Sequence, residues 1–241
     1  MRLPLESSVI WVHYLPIGTT IMSAIFAINL FRRYANRREG LHLLWWGIGI
    51  AFYGLGTFFE SMITLFGNSI LLNKAWYISG AVLGGYPLAQ GSVYLLHPRR
   101  FAHITSALTI PLVSLTSLFV IMSPVFPEML EMHRPSGAIL AWRWIRWMTP
   151  FINVYSAFFL VGGAALSSWR YFKKADPGHR ALGSVLIAIG AILPGIGGSL
   201  AKAGIIEALY IGEFIGLILI WSGDSLCRKS RPTNKFKEWI P

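Results

Sequence analysis

Seven long apolar stretches alternate with loops along the chain, and the basic residues are concentrated in every second loop. Each stretch has the ~20 residues that a helix rising ~1.5 Å per residue needs to cross the hydrocarbon core of a bilayer. A soluble fold would have to cover seven buried helices with a sequence in which only 13% of the residues are charged, and that leaves too little polar surface. The pattern therefore predicts an all-α bundle of seven transmembrane helices.

The predicted spans cover residues 9–31, 41–66, 75–96, 104–122, 148–169, 181–200 and 206–226. No loop between them is long enough to fold alone, so we predict one domain over residues 1–241 that ends in a short basic tail, 227–241. The first span is too long for the apolar region of a signal peptide, and its basic flank follows it instead of preceding it. We therefore expect it to stay in place as a membrane anchor.

The distribution of lysine and arginine predicts the orientation. Of the 21 such residues, 15 lie in the tail and in the loops after spans one, three and five, and 6 lie on the other side. Because basic loops stay in the cytoplasm, the N-terminus is predicted outside and the C-terminus inside, most simply in a bacterial inner membrane. The net charge of +11 then reflects topology and attraction to anionic headgroups, so we expect membrane lipids, and not nucleic acid, as partners.

Two acidic residues lie at membrane depth. Glu60 is six residues inside the outer end of span two and Glu213 seven residues inside the outer end of span seven, so both lie ~10 Å below the outer surface. His13 and Asn153 reach this layer from spans one and five, and Lys202, at the outer end of span six, could pair with either carboxylate. An acid at this depth is costly to insert and normally faces the bundle. We predict an inward-facing site for a ligand, a proton or an ion; hydration of both carboxylates through span six is the alternative.

Glycine and proline residues predict breaks and close contacts. The outer end of span six is expected to be hinge-like or unwound, because Gly and Pro occupy four of the five positions 194–198. These four are Pro194, Gly195, Gly197 and Gly198. A further break is expected at residues 84–87 of span three. Close helix packing is predicted where two Gly-x-x-x-Gly spacings occur, Gly80 with Gly84 and Gly212 with Gly216.

The longest loop, residues 123–147, ends in alternating tryptophan and arginine. The residues are Trp142, Arg143, Trp144, Arg146 and Trp147. Such a run is typical of interfacial anchors, with rings at the headgroup level and guanidinium groups in water, although a partner or substrate site is the alternative. The single cysteine, Cys227, excludes an intrachain disulfide and a multi-cysteine metal site, and its place at the inner edge of span seven permits S-acylation.

The histidines argue against a metal centre. No two of them have the i, i+3 or i, i+4 spacing that gathers ligands on one helix, and we predict no metal. The alternative is a metal or haem between His42, His97 and His103, which all lie at inner helix ends. No nucleophile and base stand in a recognisable catalytic arrangement, so we expect a protein that is not an enzyme. The sequence does not identify a cofactor.

Two families share features with this chain. Seven helices with an outside N-terminus resemble the layout of microbial rhodopsins, but span seven has no lysine for a retinal Schiff base. Residues 37–60, with Leu43-Leu44-Trp45-Trp46 and Phe58-Phe59-Glu60, and then Lys74-Ala75-Trp76-Tyr77, resemble the seven-helix N-terminal sensor region of bacterial histidine kinases. That resemblance covers spans two and three and implies a freestanding sensing bundle, without a kinase module, whose output needs a separate partner.

Three hypotheses follow. The first is a sensor-like bundle that binds a small or lipophilic ligand in the outer half of the membrane, with Glu60 and Glu213 as polar anchors. The second is an accessory subunit of a larger membrane complex, which would have membrane-protein partners. The third is a proton- or ion-coupled transporter, in which residues 194–198 would form the gating break.

Overall fold

The computed structural model describes residues 10–37, 40–173 and 178–229, and every structural statement below concerns these residues. Some of the sequence predictions fall outside them. These are the start of span one at Val9, the residues Arg38 and Glu39 of the sensor-like stretch, and the tail from residue 230 onward.

The described chain is helical, as predicted, apart from turns, loops and two isolated β-bridges in the outer loop. The helices are α1 Leu15–Arg37, α2 Leu41–Phe66, α3 Ile70–Trp76, α4 Tyr86–Leu96, α5 Arg99–Met122, α6 Ile145–Ser156, α7 Gly163–Phe172, α8 Gly178–Lys202 and α9 Ile206–Lys229. A 3₁₀ turn, Ile10–Tyr14, precedes α1. A π-helical turn, Tyr77–Val82, continues α3, and another, Ala157–Gly162, joins α6 to α7.

Six continuous helical segments of the described chain are long and apolar enough to cross a membrane. They are Trp11–Asn36, Leu41–Phe66, Arg99–Met122, Ile145–Phe172, Gly178–Lys202 and Ile206–Lys229. Large apolar side chains on the helix faces that point away from the bundle stay exposed, such as Leu108 at 69% and Phe151 at 74%, as contact with lipid requires. The chain is therefore a multi-pass membrane protein. A seventh crossing and the orientation stay predictions, and "outer" below names the end of the bundle predicted to face outside.

The stretch between α2 and α5 is broken, at the place where the sequence predicts a break. The N–H of Leu83 donates to the carbonyl of Ile78 at 2.9 Å, which is the wider π-helical pattern. A Cβ on Gly84 would collide with the carbonyl of Gly80, so this turn needs glycine. Pro87 then begins α4 where its missing N–H costs no helical hydrogen bond. An added Cβ on Gly84 would face the backbone of its own helix at Gly80, so packing of Gly84 against another helix stays a prediction.

Gly80 does make the predicted close helix contact. A Cβ built on Gly56 of α2 would lie 3.1 Å from the Cα of Gly80, so α2 and the turn after α3 approach backbone to backbone. The contact places the outer half of the broken helix firmly against α2.

The prediction of an unwound outer end for span six is wrong, because α8 continues unbroken from Gly178 to Lys202. Its small residues instead admit α9. A Cβ on Gly197 would lie 2.6 Å from the carbonyl of Ala208, and one on Gly216 would lie 2.6 Å from the carbonyl of Gly190. A Cβ on Gly212 would lie 2.8 Å from the carbonyl of Leu193 on α8. Close packing at Gly212 and Gly216 is thus confirmed, while Gly195 and Gly198 meet no neighbour within 4 Å of an added Cβ.

The outer loop folds back onto the helix ends. Asn73, fully buried, donates to the carbonyl of Ser136 at 2.7 Å and accepts from the Ser136 N–H at 2.9 Å. Asn68 donates to the carbonyls of Glu131 and Arg134, and the Arg134 guanidinium donates to the carbonyl of Ala201 at the end of α8. The loop therefore connects the outer ends of α2, α3 and α8.

The predicted interfacial anchors divide into two groups. Trp144 and Trp147 are 45% and 73% exposed, and Arg143 and Arg146 are also exposed, which suits residues at a membrane surface. Trp142 is only half-exposed, because its ring packs against the apolar cluster of the outer loop and stacks on Trp144 with centroids 6.0 Å apart. Its contribution is therefore to the packing of the loop.

An ion-pair group joins α1 to α9 at the inner end. Both carboxylate oxygens of Asp224 accept from Arg33, at 3.0 and 2.8 Å, and Arg228 lies 3.2 Å from the same carboxylate. Asp224 is buried, so pairing offsets the cost of its charge. Cys227, one turn further on, is half-buried against Gly183 of α8.

Candidate functional site

One face of α2 carries a line of polar side chains into the bundle. Tyr53, Thr57, Glu60 and Thr64 follow one another at intervals of four, three and four residues, so they stack on the same side of the helix. Glu60 is only 1% exposed and Thr57 likewise 1%. Because polar groups at this depth normally find partners inside the protein, the face marks where α2 meets other polar residues.

Helix α9 presents the matching face. Tyr210 and Glu213 are one turn apart, and Tyr210 is fully buried, with 0% exposure. The hydroxyl of Tyr53 donates to the carbonyl of Glu213 at 2.8 Å, which bridges α2 and α9 at this level. The two helices are therefore held together here by long side chains.

The carboxyl groups of Glu60 and Glu213 are neighbours and interact directly. The indole N–H of Trp76 donates to Oε1 of Glu60 at 2.8 Å, from the last residue of α3 before its π-helical turn. The structure thus brings together the two acids that the sequence placed at one depth, and it adds a hydrogen bond from the broken helix.

Several polar atoms at this site are buried and have no hydrogen-bond partner among the described residues. They are Oε2 of Glu60, Oε2 of Glu213, the hydroxyl of Tyr210 and Oγ1 of Thr64. Thr64 lies beside Tyr210, and Tyr210 lies within electrostatic range of both carboxyl groups. A buried polar atom without a partner costs about 1–3 kcal/mol. These atoms fall into two neighbouring pairs, Glu60 with Glu213 and Thr64 with Tyr210, so the acidic pair is the part of the site whose charge needs compensation.

The charge of the site restricts what it can bind. In the part of the chain that the structure describes, no lysine, arginine or histidine forms an ion pair with Glu60 or Glu213. Two adjacent carboxylates cannot both stay charged in an apolar bundle without compensation. Because all four free atoms are oxygens, the compensation that fits is a proton or a small hard cation.

The other predicted site residues lie at different distances from this pair. The ring of His13 packs edge-on against Tyr210 with centroids 5.7 Å apart, so His13 belongs to the edge of the site. Asn153 is exposed on the surface of α6. Lys202 is exposed at the end of α8 and pairs with neither carboxylate. The structure therefore does not bring Asn153 and Lys202 to the site.

The three histidines at inner helix ends pack on aromatic rings. His42 lies against Trp46, His97 against Phe101 and His103 against Tyr94. Within the described ranges, no three histidine, cysteine, aspartate or glutamate side chains are grouped as metal ligands. The alternative of a metal or haem between these histidines has no support in the geometry.

Sequence reasoning missed Tyr53, Thr64, Trp76 and Tyr210. Their signal was helical spacing: Tyr53 is seven residues before Glu60, Thr64 four after it, and Tyr210 three before Glu213. Such spacings show that residues share a helix face. They do not show that the faces of α2 and α9 meet, and Trp76 carries no spacing signal at all because it comes from a third helix.

A second polar network lies between α4, α5 and α6. Gln90, fully buried, donates to the carbonyl of Ala102 and to the hydroxyls of Thr105 and Ser106, and accepts from Tyr155 at 2.5 Å. Both ends of the Gln90 amide are satisfied. A satisfied network of this kind stiffens and aligns the helices, so we assign it to structure.

The groove at the inner end between α1 and α9 is separate from the carboxylate pair. It has a volume of about 460 Å³ and is lined by Met22, Ile218, Trp221, Ser222, Ser225, Leu226 and Lys229.

In comparisons with protein-family models, curated proteins and solved structures, nothing matched this chain.

Proposed function

We propose that this chain is a non-enzymatic, sensor-like membrane bundle whose ligand binds at the Glu60–Glu213 pair in the outer half of the membrane. The observation that carries the proposal is the pair of buried, neighbouring carboxyl groups, with which no lysine, arginine or histidine of the described residues forms an ion pair. The ligand is a proton or a small monovalent cation, because the site is closely packed and its free atoms are oxygens. The chain lies in a cell membrane, with this site near the outside.

Binding of a proton or a cation at the pair can affect the rest of the bundle through Trp76. Hydrogen bonds to a charged acceptor are roughly twice as strong as those to a neutral one. The Trp76 N–H bond to Glu60 therefore weakens when a proton or cation neutralises the pair. Since Trp76 adjoins the π-helical turn Tyr77–Val82, the change acts on the part of the helix whose hydrogen bonding is already irregular.

The proposal is tested by titrating purified protein in detergent. Infrared difference spectra between acid and alkaline samples should show the C=O band of a protonated carboxyl group, and sodium chloride should raise the thermal midpoint relative to choline chloride if a cation binds. In Glu60→Gln both the carboxyl band and the effect of sodium should be smaller than in the wild type, because one of the two carboxyl groups of the pair is gone. Glu128→Gln, at an exposed position of the outer loop, is the matched control and should respond like the wild type.

Two results would contradict the proposal. One is a wild-type protein with neither a carboxyl band nor a difference between sodium and choline. The other is a response that persists at full size in Glu60→Gln, which would place it at another group.

Proton- or ion-coupled transport is the second candidate, and the broken helix favours it. Coupling-ion sites in transporters often adjoin discontinuous helices, and Trp76 connects Glu60 to such a helix. If the chain transports, vesicles containing it should acidify under an imposed proton gradient at a rate that Glu213→Gln reduces to that of empty vesicles. If the vesicles bind a proton or a cation at the pair but show no flux, transport is excluded and the sensor-like function remains.

A further inference from the structure

The groove between α1 and α9 is apolar at its deep end and charged where it reaches the inner end of the bundle. Four of its lining residues on α9 are Ile218, Ser222, Ser225 and Lys229. They follow one another at intervals of four, three and four residues, so they lie on one face of the helix. At ~1.5 Å per residue, Ile218 is ~16 Å deeper in the membrane than Lys229. The groove therefore has the polarity of a lipid molecule, with its charged end at the membrane surface.

The apolar part of the groove has well-packed walls. The ring of Trp221 stacks on that of Phe26, with centroids 5.2 Å apart and an angle of 4° between the rings. Because Phe26 is only 3% exposed, the contact between α1 and α9 holds Trp221 in place, and Met22 adds a flexible apolar side chain. The volume of about 460 Å³ is within the ~300–1,000 Å³ of typical ligand pockets. These walls suit an acyl chain.

The charged end of the groove has an excess of positive charge. Asp224 is paired with Arg33 and Arg228. No carboxylate of the described residues forms an ion pair with Lys229, so one carboxylate is surrounded by three cations. The hydroxyl of Ser225 accepts from Arg228 at 2.8 Å, and because a hydroxyl both donates and accepts, its own proton can go to an anion. An ammonium group and a hydroxyl donor together fit a phosphate.

We propose that this groove binds one anionic phospholipid, with its phosphate at Lys229 and Ser225 and an acyl chain between Met22 and Trp221. Ser222 lies ~4.5 Å deeper than Ser225, where it can donate to an ester carbonyl of the lipid. The proposal does not depend on the function proposed for the carboxylate pair.

The excess of positive charge decides which occupant fits. Basic groups near a membrane surface attract anionic lipids, whereas a zwitterionic lipid would bring a cation of its own to Lys229, Arg33 and Arg228. A second copy of the chain, in a two-fold dimer through the groove, would place the same three cations against their counterparts. An anionic phospholipid is the occupant that compensates this charge.

The test is native mass spectrometry of the full chain in mild detergent, titrated with phosphatidylglycerol and with phosphatidylcholine of the same acyl chains. The wild type should bind one phosphatidylglycerol more tightly than phosphatidylcholine. Lys229→Gln should weaken binding of phosphatidylglycerol by about five-fold, the effect of one basic residue near a membrane surface. Arg100→Gln, exposed at the inner end of α5, removes one charge away from the groove and should keep the wild-type affinity.

A second variant tests the shape of the groove without changing its charge. Ser222 is exposed, so Ser222→Trp should fold and keep the thermal midpoint of the wild type. Its ring would fill the groove and should abolish the preference for phosphatidylglycerol.

Three results would overturn the proposal. Equal losses in Lys229→Gln and Arg100→Gln would show that overall charge, and not the groove, attracts the lipid. Wild-type affinity in Ser222→Trp would place the lipid elsewhere on the bundle. A dimer without bound lipid would show that a second copy covers the groove. None of these results bears on the Glu60–Glu213 pair, which lies apart from the groove.

Discussion

Gly190→Ala is expected to destabilise the protein by about 1–3 kcal/mol, the range for overpacking a tight core. A Cβ at this position would lie 2.6 Å from the carbonyl of Gly216, 2.9 Å from Leu219 Cβ and 3.0 Å from Ile220 Cγ1. The first of these atoms belongs to the backbone of α9, so the two helices would have to separate. The measurement is the free energy of unfolding in mild detergent.

Gly195→Ala is the matched control, on the same helix and one residue beyond Pro194. An added Cβ there meets nothing within 4 Å, and alanine is the better helix former by about 1 kcal/mol. The control should therefore be as stable as the wild type or slightly more stable. Equal losses in the two variants would show that α8 and α9 do not pack as described.

Glu60→Gln and Glu213→Gln are expected to affect stability in a strongly non-additive way. Each substitution alone removes the conflict between the two carboxyl groups, so the second should add little once the first is present. Groups in direct contact couple by about 0.5–3 kcal/mol, whereas distant ones add within about 0.5 kcal/mol. A double-mutant cycle on the free energy of unfolding, at one pH and one salt concentration, measures the coupling.

The control cycle combines Glu213→Gln with Glu128→Gln. Glu128 is exposed in the outer loop, so that pair should be additive. Additivity in the Glu60–Glu213 cycle as well would mean that the two carboxyl groups do not form one site, and it would remove the basis of the proposed function.

The close contact of α8 with α9 could be predicted from the sequence only in part. Gly183, Gly190 and Gly197 recur every seven residues, which places them on one face of α8, and each lies within 2.7 Å of a backbone carbonyl of α9 when a Cβ is added. The spacing of Gly212 and Gly216 predicts close packing of α9, whereas the Gly and Pro residues at 194–198 predict a hinge in α8, and Gly183 and Gly190 carry no prediction. Glycine permits both an opened helix and a close approach, and only the position of the neighbouring helix distinguishes them.

The sequence predicted the depth of the candidate site in the membrane but not which residues form it. Residue counts place Glu60 and Glu213 at one level because a helix rises by a constant amount per residue. The same counts placed Asn153 there and Lys202 at the outer end of span six, within reach of the pair, yet both side chains are exposed. Depth says nothing about which way a side chain points around its helix, and that direction decides which residues meet.

What the sequence by itself determined is the helical class, the membrane location and the level of the acidic pair, since these depend on apolar length and helical rise along a single chain. The tertiary structure decided the rest. It joined α2 to α9 through Tyr53, placed the Trp76 indole on Glu60 and packed Tyr210 against His13. Those contacts depend on how separate helices rotate and pack against one another, which no pattern within one helix specifies.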